Sequence, residues 1–87
     1  METIKETKYL IFKSQTFERR KTKVIYVINK SSGNELATIE WYGSWRQYCF
    51  MPCLEYDTVW NNTCLTAVIS VIDMLMHERQ IDNPKGE

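Results

Sequence analysis

The chain is poor in the residues that usually announce chemistry. It has one histidine, three glycines, two prolines and three cysteines, and its acidic and basic residues cancel to zero net charge. Gly33, Gly43 and Gly86 stand alone, so no glycine-rich loop is present to cradle a phosphate. Zero net charge leaves out the electrostatic footprint expected of a general phosphate binder. No apolar run approaches the roughly 20 residues of a membrane span. Met1 to Lys8 is charged and leads into no apolar signal segment, so the expectation is a cytoplasmic protein with reduced thiols. Asn61-Asn62-Thr63 therefore carries no meaning as a glycosylation acceptor.

The absences extend to catalytic and metal-binding arrangements. Ser70, Asp73 and His77 fall on one helical column. Ser70 and His77 would then sit about 10 Å apart along the axis, too far for a nucleophile and its base. Asp73 and His77 make an ordinary i, i+4 surface pair instead. Cys49, Cys53, Cys64 and His77 are spaced too widely for a structural zinc site and read as small buried side chains. Neither an enzyme nor a cofactor or metal is expected.

What the chain does have is aromatic residues and strand formers. Its 87 residues and 44% hydrophobic content suit one small domain. Residues 1–6 and 81–87 are expected to fray. Tyr9 to Phe12 starts a first strand, and Val24 to Ile28, five β-formers in a row, a central one. Ser31-Ser32-Gly33 predicts a three-residue hairpin loop with Gly33 at positive φ. This places Val27 opposite Ala37 and Ile25 opposite Ile39. Gly43-Ser44 suits a two-residue type II′ turn, which pairs Tyr42 with Trp45, Trp41 with Arg46, Ile39 with Tyr48 and Ala37 with Phe50. Both turns put Ala37 and Ile39 on one face.

Pro52 ends the last strand, and Asn61 or Asn62 caps a helix running to about Arg79. The expected fold is α+β: a four-stranded antiparallel meander with one C-terminal helix on one face. The helix has a narrow polar stripe and an apolar arc of roughly 220°, about twice what a surface helix needs. One sheet face cannot cover that arc, so a homo-oligomer is expected, with Ala67, Val71 and Met74 as its interface.

Two groups of residues suit binding. The stretch Trp41 to Pro52 gathers Trp, Tyr and Arg, the residues that dominate protein-binding hot spots. Trp41, as the cross-strand partner of Arg46, is assigned to structure. Tyr42, Trp45, Arg46 and Trp60 are the expected contacts to a protein partner. Arg19, Arg20, Lys21 and Lys23 form the nearest thing to a phosphate-binding patch, or else a solvated turn that guards a strand edge. With the aromatics they allow an alternative, a single-stranded nucleic-acid or nucleotide module, which the zero net charge disfavours.

The string Trp41-Tyr42-x-x-Trp45-Arg46-Gln47-Tyr48-Cys49-Phe50-x-Pro52 resembles that of small uncharacterised proteins of bacteriophages and mobile elements of gut bacteria. Gly33-Asn34-Glu35-Leu36, Ile39, Thr58-Val59-Trp60 and the helix from Cys64-Leu65 match the same pattern, so the resemblance runs from about Val24 to Arg79. Cys53 and Tyr56 in the loop, and the basic N-terminal hairpin, depart from it. The resemblance implies a phage-like origin and, with it, a small non-enzymatic effector such as an inhibitor of a host defence or regulatory system.

Overall fold

A computed structural model describes residues 1–55 and 57–82, with residues 80–82 described by their backbone alone. Tyr56 and residues 83–87 lie outside the described residues. The elements follow in the order β1 (Glu2–Glu6), β2 (Leu10–Gln15), β3 (Val24–Asn29), β4 (Glu35–Tyr42), β5 (Gln47–Pro52) and α1 (Asn62–Asp82). All five strands form one antiparallel sheet in sequence order, and α1 packs on one face of it.

The sheet thus has five strands rather than the expected four. Residues 2–6, expected to fray, form the added edge strand β1. Its Glu2, Lys5 and Glu6 give no apolar signal, yet charged residues are what an exposed sheet edge tolerates. Ile4 reaches the core across a register irregularity between Thr3 and Lys5. The turn back to β2 is closed by Thr7, whose N–H donates to the Leu10 carbonyl at 2.8 Å and whose Oγ1 accepts the Leu10 N–H at 3.1 Å. Lys30 ties Glu6 to the neighbouring turn with a 2.6 Å ion pair.

At the centre of the sheet, Ile25 pairs with Ile39 and Val27 with Ala37, as the first hairpin predicts. The register then shifts: Ile28 pairs with Glu35 and the Asn29 N–H donates to the Asn34 carbonyl at 2.8 Å, so the loop has four residues, 30–33, rather than the expected three. Gly33 sits at φ 78°, the left-handed conformation the loop needs. An added Cβ there meets nothing within 4 Å, so Gly33→Ala should cost backbone strain alone. The expected loss is about 1 kcal/mol, read as a fall in melting temperature of about 4–8 °C. An unchanged melt would show that the loop relaxes to negative φ.

The core lies between the sheet and α1. Phe12, Ile25, Val27 and Ile39 are fully buried beneath Val68, Val71 and Leu75. Asn61 caps the helix, its Oδ1 accepting the Cys64 N–H at 2.8 Å. The helix runs three residues beyond the expected end at Arg79, so Ile81 and Asp82 are helical rather than frayed. The outer edge of β5 is closed in two ways. The Tyr48 N–H points outward to the Met76 sulfur at 3.4 Å, and Pro52 has no N–H to offer. Among the described residues, no helix is long and apolar enough to cross a membrane.

Candidate functional site

The second hairpin is built differently from the two-residue turn expected. Tyr42 pairs with Gln47, Trp41 with Tyr48 and Ile39 with Phe50. Gly43, Ser44, Trp45 and Arg46 form a four-residue loop. Its amides converge on one carbonyl: the Trp45 and Arg46 N–H groups donate to the Tyr42 oxygen at 3.2 and 2.9 Å. Such a single helical turn needs a left-handed residue to rejoin the strand, and Arg46 supplies it at φ 55°. Gly43 is not at positive φ. The register moves by two residues, one full pleat, so every side chain that remains in the ladder keeps its expected face, while Trp45 and Arg46 leave the ladder for the loop.

That shift separates Trp41 from Arg46. Trp41 stands edge-on to Tyr48 at 5.5 Å, and the guanidinium over its ring belongs to Arg79, 4.0 Å away at the end of the helix. Trp41 keeps its structural role with a different cation. No spacing rule linked Arg79 to a strand so distant in sequence.

At the tip, Tyr42 and Trp45 meet edge to face at 5.1 Å. Trp45 is 67% exposed and Tyr42 40%. Arg46 is exposed beside them. Trp60, grouped with them from sequence, lies elsewhere. β5 runs away from the tip, and residues 53–55 and 57–61 follow at the opposite end of the sheet. There Trp60 packs edge-on against Phe50 at 4.9 Å and donates from Nε1 to Thr58 Oγ1 at 2.7 Å. Leu54 and Val59 are almost wholly exposed.

The basic turn between β2 and β3 is at the tip end, because β2 and β4 run in the same direction. The Lys23 N–H donates to the Tyr48 hydroxyl at 3.1 Å, and its ammonium pairs with Glu78 at 3.1 Å. Lys23 thus fastens the turn to β5 and α1. Arg20 stacks on Phe17 at 5.3 Å. Arg19 and Lys21 are exposed.

On the helix, the expected oligomer interface splits apart. Ala67 and Val71 face the sheet, 6% and 2% exposed, while Met74 is 38% exposed. An apolar arc that wide has two shoulders, and only contact with the sheet decides which part is inner. The exposed apolar shoulder opposite Met74 carries Leu65 and Ile69, on the side of Met76 and the β5 edge. Ser70 donates its hydroxyl to the Ala67 carbonyl at 3.0 Å. No three His, Cys, Asp or Glu side chains among the described residues cluster as metal ligands would.

A protein of Acholeplasma phage L2 bearing the name "Uncharacterized 9.3 kDa protein" is 35% identical to this chain over 77 residues. The match covers 88% of this chain and 96% of the phage protein. No protein-family model matches the chain, and no solved structure matches it.

Proposed function

The chain belongs to the family of this Acholeplasma phage protein, and from that premise we propose that it is a small, non-enzymatic interaction module that binds a protein partner through the β4–β5 tip. Its most concrete form is a phage-encoded inhibitor, working in the bacterial cytoplasm against a defence or regulatory system. The observation that carries the reading is Trp45, 67% exposed on a hydrogen-bonded four-residue loop and braced by Tyr42. A large ring held in solvent by its backbone costs little further ordering on binding, and Trp, Tyr and Arg are the residues on which interfaces depend most. The experiment is capture of a host protein by the tagged chain, repeated with the double variant Trp45→Ala, Arg46→Gly. The partner should be retained by the parent chain and lost by the variant. Capture that survives the substitution overturns the reading.

The nucleic-acid alternative has less support. Trp41, Tyr48 and Phe50 lie on the helix-covered face, so they offer bases no stacking platform. Lys23 is engaged by Glu78.

Self-association belongs to the same proposal, moved to the residues that are exposed. Leu65 and Ile69, 41% and 58% exposed, form the apolar shoulder beside β5. Light scattering at high concentration should show a dimer that Ile69→Glu converts to a monomer without a change in melting. A monomeric parent chain would end this part of the proposal.

A further inference from the structure

Zero net charge hides an uneven distribution. All four arginines of the chain, Arg19, Arg20, Arg46 and Arg79, lie at the tip end of the sheet. The strand register shows why. Gln15 pairs with Val24 and Ile25 with Ile39, which brings the 16–23 turn level with Trp41 and Tyr42, next to the 43–46 loop. Arg79 reaches the same end along α1 and covers Trp41. The remaining described cationic side chains, Lys21 and Lys23 apart, are lysines placed elsewhere.

Six basic residues stand at this end against four acids with described side chains, Glu2, Glu18, Glu40 and Glu78. Glu78 is paired with Lys23 and Glu40 accepts a 2.9 Å bond from Thr38. Glu2, opposite Ser14 at the end of β2, and Glu18, next to Arg19 in the chain, stand on the side of the 16–23 turn, away from the 43–46 loop. Two of the guanidinium groups lie over rings, Arg20 on Phe17 and Arg79 on Trp41. Stacking uses the face of a guanidinium and leaves its in-plane N–H groups to grip a carboxylate; Arg20 lends one of its own to Thr22 Oγ1 at 3.4 Å.

We infer that the arginine-bearing end of the sheet docks an acidic segment of the partner protein, with the carboxylates on the guanidinium groups and an apolar residue on Trp45. The inference rests on the interaction reading of the tip and names the chemistry of its partner. A protein carboxylate fits better than nucleic acid here. Six cations lie at this end and one of them, Lys23, is paired with Glu78, which is at the lower bound of the roughly six to ten phosphate contacts of a strongly salt-dependent DNA binder. The exposed ring stands on a tip, not on a broad platform.

The test uses a fluorescently labelled oligoglutamate peptide and the full chain, followed by anisotropy at low and high salt. Binding should appear at low salt and weaken as salt is added. Arg19→Gln with Arg20→Gln should weaken it about tenfold or more, and Arg46→Gly should add to the loss. Lys5→Gln with Lys13→Gln, of equal charge change, should leave it intact. Absence of binding at low salt, equal harm from the lysine pair, or tighter binding of an oligothymidylate of matched charge would each overturn the inference. The two readings fail separately. A host partner lost by Trp45→Ala but indifferent to the arginine variants strikes only the acidic-segment inference. A partner indifferent to Trp45→Ala strikes the tip itself.

Discussion

Val71→Glu is expected to leave no folded chain. Val71 is 2% exposed at the centre of α1, facing the sheet among Val68 and Leu75. A carboxylate there has no described cation within the core to meet it, and desolvation of an unpaired charge costs several kcal/mol. A chain of this length has roughly 4–13 kcal/mol of stability in total. The matched change Ile69→Glu, two residues earlier on the exposed shoulder, should alter stability by only about 0.5 kcal/mol. Circular dichroism and thermal melting decide it: a cooperative melt for Ile69→Glu and none for Val71→Glu. A native-like melt for Val71→Glu would mean that α1 is rotated and that the apolar arc buries a different part of itself.

The same contrast separates what the residues announce locally from what only the assembled fold creates. Period-two alternation fixed the faces of β3, β4 and β5 so firmly that a two-residue error in the second hairpin changed the side of no residue that remains in the ladder. Gly33 and Asn61 were legible because each satisfies a local backbone need, a left-handed φ and an unpaired helix amide. Arg46 was not, because its left-handed conformation is imposed by a loop of four residues where Gly43 advertised a shorter one. β1 was not, because an edge strand covers the sheet with charges and shows no apolar run. Tyr42 and Trp45 stand together at the tip, but Trp60 sits at the far end: adjacency in composition is not adjacency in space. Arg79 over Trp41 and the collection of the arginines at one end depend on the register of four strands and the direction of one helix. No local pattern contains them.

Trp45→Ala with Arg46→Gly should weaken partner binding by at least about 30-fold, the 2 kcal/mol that marks a hot-spot residue, while the melting temperature stays near that of the parent chain. The stability forecast weighs two opposed terms, to which the loss of Arg46's own interaction adds. Removing the Trp45 ring forfeits its edge-to-face contact with Tyr42, worth about 0.5–1.5 kcal/mol. Glycine at position 46 relieves a left-handed φ of 55°, a gain of about 1 kcal/mol. The hairpin needs Tyr42 O and the amides of residues 45 and 46, which both substitutions keep. Loss of binding with a preserved melt would therefore be loss of the surface and not of the fold. Equilibrium binding to the captured partner, measured beside the melt, separates the cases: unfolding of the variant would make the tip part of the core, and unchanged affinity would remove it from the binding surface.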